Sequence, residues 1–191
     1  MIKGNTSSRS LPTNRGPWTQ AGGKQFYFTD PRPDDIDAKT IAHALSNLCR
    51  FGGQCSRFYS VGEHRVNVSR LLPPTMALYG LLHDASEAYL VDIPNPIKQN
   101  PNMRWYRVIE DLVMDAVQVH FQLSDNPEAW AQVKSADMIM LSTEAHALMQ
   151  PFAAPWDEMP DPIEGFEFQF YAPEEAEAVF LERLRELGVG V

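Results

Sequence analysis

A chain of 191 residues with 44% hydrophobic and 21% charged residues has the composition of a globular protein and the length for one domain with a sizeable core, which excludes disorder of the whole. Its net charge of −9 argues against broad binding to nucleic-acid polymers, although a local cationic pocket for a small phosphate survives such a balance. No apolar run approaches the roughly 20 residues of a membrane span. The start Met1-Ile2-Lys3-Gly4-Asn5 has no apolar signal core, and Cys49 and Cys55 lack a zinc-ligand spacing, so a soluble cytoplasmic protein with reduced thiols and no membrane partner is expected.

In chain order, residues 1–24 are polar and rich in Ser, Asn, Gly and Pro, which predicts a loose arm. Gln25 to Thr29 predicts a short strand. Ile36, Ile41, Ala42, Leu45 and Leu48 fall at helical spacing behind the acids Asp34 and Asp35, predicting a helix over about 35–50 that Gly52-Gly53 ends. A helix over about 61–72 carries His64 and stops at Pro73-Pro74, and a helix over about 75–89 carries His83-Asp84. The segment Asp92 to Pro101 reads as an ordered loop. A helix over about 102–121 offers Val108, Leu112, Val113, Ala116 and Val119 to a core, and one over about 126–149 carries Asp137. Pro151 to Pro162, with Trp156 and Met159, is a Pro-rich loop before a closing helix over about 174–187. These elements predict an all-α fold with a short strand or hairpin near the N-terminus, in a single domain.

The chemistry concentrates in Leu81-Leu82-His83-Asp84-Ala85-Ser86-Glu87. Imidazole and carboxylate are the usual ligands of borderline and hard divalent cations, and adjacent helical residues lie roughly 100° apart, so one ion could lie between them. His64 stands upstream on an apolar helical pattern. Asp137 lies downstream inside Ala136-Asp137-Met138-Ile139-Met140-Leu141, where a lone carboxylate is costly to bury unless paired or metal-bound.

This H…HD…D set, with Leu82-His83-Asp84-Ala85-Ser86-Glu87-Ala88 followed by Asp92-Ile93-Pro94-Asn95-Pro96-Ile97-Lys98, resembles the HD-domain metal-dependent phosphohydrolases. The resemblance is to their 5′-deoxynucleotidase-like branch and to phage deoxynucleoside triphosphohydrolases, and it covers about Asp34 to Met149. It implies an HD-domain helical bundle in which His64, His83, Asp84 and Asp137 hold one divalent ion while Glu87 and Asp92 assist catalysis. Two imidazoles and two carboxylates suit Mn²⁺, Co²⁺ or Zn²⁺, with Mg²⁺ a further option. In related nucleotidases an Arg-aromatic pair precedes the first metal histidine at nearly the distance that separates Arg50-Phe51 from His64, so Arg50, Arg57 and Lys98 are candidates for phosphate and Phe51 for the base.

Blander readings stand beside these. Glu87 could be a solvated helix acid, Asp92 a cap, and Phe51 core. His43 is expected to be packed, His120 and His146 to sit at helix C-termini, and Met138, Met140 and Met149 to fill the core. The expected activity is release of phosphate from a deoxynucleoside 5′-monophosphate. The alternatives are release of triphosphate from a dNTP and a non-catalytic nucleotide-sensing module. Homo-oligomerisation is implied by the resemblance alone.

Overall fold

The computed structural model describes residues 15–154 and 159–191, so most of the predicted arm and Trp156 lie outside the described residues. The chain is mostly helical. Antiparallel strands β1 (Thr19–Ala21) and β2 (Lys24–Phe26) form a hairpin. The helices are α1 (Ala38–Asn47), α2 (Val61–Leu71), α3 (Ala77–Leu82), α4 (Glu87–Leu90), α5 (Asn95–Lys98), α6 (Arg104–His120), α7 (Pro127–Leu148) and α8 (Pro173–Glu186). The predicted arm therefore ends earlier than expected, because Gly22 and Gly23 adopt positive φ and turn the chain back on itself.

Each helix boundary has a local cause. α1 begins at Asp37, whose carboxylate accepts the Thr40 N–H and hydroxyl, each at 2.8 Å. Asp34 and Asp35, expected to open this helix, instead occupy a one-turn 3-10 segment, Pro33–Asp35. α1 also stops before Gly52-Gly53. Arg50 N–H donates to Tyr59 O at 2.9 Å and Val61 N–H to Leu48 O at 2.9 Å, so the backbone leaves the helix to pair with the approach to α2. Ser60 caps α2 by accepting the Glu63 N–H at 3.0 Å, and Asn126 caps α7 by accepting the Ala129 N–H at 3.1 Å.

The core has two apolar clusters. In the larger, Phe26, Ile41, Leu45, Val61, Leu81, Leu82, Val113, Val117, Phe180 and Leu184 join the hairpin, α1, α2, α3, α6 and α8. Phe26 stacks on Tyr89 with ring centroids 4.2 Å apart. The smaller cluster, including Val68, Tyr79, Val133 and Met140, joins α2 and α3 to α7. α2 is thus packed by α1, α3, α7 and α8. At Gly62 a Cβ would lie 2.7 Å from Ser46 Oγ and 3.2 Å from Ser46 Cα, so glycine permits the close approach of α1 and α2. On the other side, the buried Glu63 carboxylate accepts the N–H groups of Gln169, Phe170 and Tyr171, each at 3.0 Å, and so docks the segment leading into α8.

Four further expectations are corrected. The predicted helix over 75–89 is two short helices, because residues 83–86 form i→i+3 bonds such as Glu87 N–H to Asp84 O at 3.0 Å. Asp92 to Pro101 contains the one-turn helix α5. On α6, Val113, Ala116 and Val117 face the core, whereas Trp105, Val108, Leu112 and Val119 form an exposed stripe. Met140 is buried as expected. His43 is exposed and paired through Nδ1 to Glu177 Oε2 at 2.9 Å rather than packed. His120 and His146 stand at helix C-terminal ends, each with Nδ1 2.8 Å from a backbone carbonyl.

Candidate metal centre

α2, the turn after α3 and the middle of α7 bring His64, His83 and Asp137 together, their ligand atoms all within 4.8 Å of one another. His64 Nε2 lies 3.1 Å and His83 Nε2 3.6 Å from Asp137 Oδ1. Ligands at ~2.0–2.2 Å from one divalent ion stand about 3–3.5 Å apart, so these two separations are close to what one ion needs.

The imidazoles are oriented for that role. His83 Nδ1 donates to Gly80 O at 2.8 Å, and His64 Nδ1 donates to the Glu144 carboxylate at 2.6 Å. With the proton held at Nδ1, each Nε2 lone pair lies on the side of the group, where Arg65 Nη1 stands against that of His83. The buried His64 Nε2 makes no hydrogen bond, an orphaned atom that a metal ion would satisfy. The donor set fits a metal ion. Burial would raise the Asp137 pKa, but the two facing histidines outweigh it and hold this carboxyl well below its ordinary range.

Asp84, the fourth expected ligand, is beside the group but outside it. Its Oδ2 lies 3.7 Å from His83 Nε2 and 3.3 Å from Arg65 Nη1. The cause is the tightened turn. At i→i+3 bonding adjacent side chains diverge by about 120° rather than 100°, which turns Asp84 toward Arg65. The Arg65 side chain is 1% exposed, its Nη1 touches His83 Nε2, and its Nη2 donates to Glu87. Glu87 is also buried. Burial raises its pKa despite the Arg65 charge, while Asp84 and Asp92 add to the rise.

The expected substrate residues are placed less uniformly. Lys98 pairs with Glu110 at 2.6 Å and lies 3.5 Å from Glu87, at the edge of the site. Asp92 is half-buried after α4 and acts electrostatically on both Glu87 and Arg50. Arg50 is buried and directed at Glu144, through Nη2 at 2.8 Å and Nε at 3.2 Å. Phe51, at φ 54° in the turn after Arg50, has its ring 5.3 Å from the Arg50 guanidinium. Arg57 is exposed and stacks over the Phe170 ring at 3.8 Å. Neither Phe51 nor Arg57 is joined to the three-residue group.

Sequence reasoning missed Glu144. It is wholly buried and accepts from Arg50, from Tyr59 Oη at 2.9 Å and from His64. Burial would raise its pKa, yet the Arg50 charge and the hydrogen bonds from His64 and Arg50 lower it, so the carboxyl favours its anionic form inside the protein. A signal existed: Glu144 follows Asp137 by seven residues, nearly two helical turns, so both acids share one face of α7.

Fold and site define a mostly helical protein with a His/His/Asp group that could hold a metal ion. The uncharacterized protein YfdR of Escherichia coli (strain K12) is 38% identical over 167 residues, covering 86% of this chain and 92% of that protein. The uncharacterized protein RCAP_rcc00048 of Rhodobacter capsulatus is 30% identical over 177 residues, covering 84% and 90% respectively. The chain belongs to the family that contains these two proteins. No protein-family model matches it.

Proposed function

We propose that this protein is an HD-domain-type metal-dependent phosphohydrolase that cleaves the 5′ phosphate ester of a deoxynucleoside monophosphate. The observation that carries the reading is the convergence of His64 Nε2, His83 Nε2 and Asp137 Oδ1 beside the buried acid Glu87. His64, His83 and Asp137 would hold the ion, and Asp84 is close enough to His83 to join them. A divalent ion bound there supplies charge neutralisation of the phosphate and acidification of a bound water. Mn²⁺, Co²⁺ and Zn²⁺ suit the donors.

Glu87 is the general acid–base. Burial favours its protonated form, and Arg65 and Lys98 hold it at the edge of the group. The charge inventory favours a monophosphate over a triphosphate. Arg50, Arg65 and Lys98, the cations around the group among the described residues, each already face a carboxylate, which leaves little surplus positive charge for a polyanion.

The test is a panel of dNMPs, dNTPs and matching ribonucleotides offered to metal-stripped protein reloaded with Mn²⁺, Co²⁺, Zn²⁺ or Mg²⁺. Phosphate release from dNMPs, abolished in Asp137→Asn, is expected. Intact triphosphate released from a dNTP would replace the monophosphate assignment. Silence across the panel with metal bound would overturn the enzymatic reading and favour a nucleotide sensor.

A further inference from the structure

We propose that Glu144 is a positioning residue for the metal centre, and that Arg50 and Tyr59 serve it rather than the substrate. The inference rests on the metal-binding reading of the His64, His83 and Asp137 group, not on the identity of the substrate. Glu144 Oε1 accepts from His64 Nδ1 at 2.6 Å and from Tyr59 Oη at 2.9 Å, and Oε2 accepts from Arg50 Nη2 at 2.8 Å. Asn67 Nδ2 in turn donates to Tyr59 Oη at 3.0 Å. The carboxylate is thus held from both sides before it meets the histidine.

The arrangement does three things at His64. It places the ring proton on Nδ1, leaving the Nε2 lone pair directed at the centre, where Asp137 Oδ1 lies 3.1 Å away. It fixes the ring plane, because Glu144 and Tyr59 are both buried and closely packed. It also makes the imidazole a better donor to a cation, as a carboxylate partner does for ligating histidines generally. A buried carboxylate needs its own counter-charge, and Arg50 supplies it. The main-chain pairing of Arg50 with Tyr59 puts these two partners of Glu144 on the two ends of one closed loop. A guanidinium committed in this way is unavailable to a phosphate.

The experiment is calorimetric titration of Zn²⁺ and Co²⁺ into metal-stripped wild type, Glu144→Gln, Glu144→Asp, Tyr59→Phe and His64→Ala, each first checked for native helicity. Loss of the carboxylate is expected to weaken metal binding about 10–100-fold, with a smaller loss in the same direction for Tyr59→Phe. The decisive readout is the double variant His64→Ala/Glu144→Gln. If Glu144 acts through His64, its removal costs no further affinity once His64 is gone, whereas a purely structural role would still add its loss. Should Glu144→Gln fail to fold because Arg50 is left uncompensated, Arg50→Gln/Glu144→Gln removes both buried charges together and is read in its place. Wild-type affinity in a folded variant lacking the carboxylate, or additive losses in the double variant, would overturn the proposal, as would a wild type that binds neither ion. A wild type that binds metal in this manner yet hydrolyses no nucleotide leaves it standing while removing the substrate assignment.

Discussion

At the scale of single residues, Val91 is the most strained position beside the candidate site. It closes α4 at φ 75°, ψ 149°, a region open to glycine but not to a β-branched side chain, and it directly precedes Asp92. Such a residue stores about 1–3 kcal/mol, and glycine loses roughly 0.5–1 kcal/mol to the greater freedom of its unfolded chain. Val91→Gly is therefore expected to raise stability by about 1 kcal/mol, read as a higher urea midpoint at unchanged slope. A lower midpoint would show that the Val91 conformation is relaxed. Nothing in the run Tyr89-Leu90-Val91-Asp92 announces this, because the positive φ is imposed by where the following segment must go. The two histidines and Asp137 were legible for the opposite reason: their side-chain chemistry stands out in apolar helical surroundings. Glu144 was not, since its partners Arg50, Tyr59 and His64 lie 80 or more positions away in sequence.

At the scale of elements, the helices follow from signals that act over a few residues. Pro73-Pro74 lies just beyond α2, and Pro127 and Pro173 open α7 and α8. The expected helix over 75–89 failed at residues 83–86 because i→i+3 and i→i+4 bonding place nearly the same demands on composition. The apolar stripe of α6 misled in another way: periodicity reports that a face is apolar, not that this protein covers it, and Val108, Leu112 and Val119 remain exposed. The start of α1 offers a clean check. Asp37 caps it through two hydrogen bonds to Thr40, and α1 packs on α2, α4 and α8. Asp37→Ala is expected to cost about 1 kcal/mol and to lower the melting temperature by about 2–4 °C for a chain of this size. Asp37→Ser should restore most of the loss, and a silent Asp37→Ala would mean that water replaces the cap.

At the scale of the whole molecule, buried carboxylates set the response to acid. The Glu144 pKa in the folded state is below its ordinary value, so it contributes stability that is fully present above about 4.5 and lost as the pH falls through the folded value. Glu63 works in the other direction. Burial raises its pKa against the three amides that lower it, so its protonation slightly favours folding as the pH drops. Little change in the urea midpoint is expected from pH 7 to about 5, then a steep decline below about 4, reduced in Arg50→Gln/Glu144→Gln. A midpoint that falls steadily from neutral pH would show that Glu144 is not the group in control.

The Glu63 carboxylate has a wider reach than its own packing. It stands one position before His64 on the same helix and gathers three consecutive amides from residues 169–171. The tail therefore works as a clasp: with it open, a buried anion loses its donors and the helix beneath His64 loses its support on the α8 side. Residues 169–171 join no side chain to the His64, His83 and Asp137 group, yet they grip the neighbour of its first histidine, so loosening this clasp is expected to disturb the group from a distance.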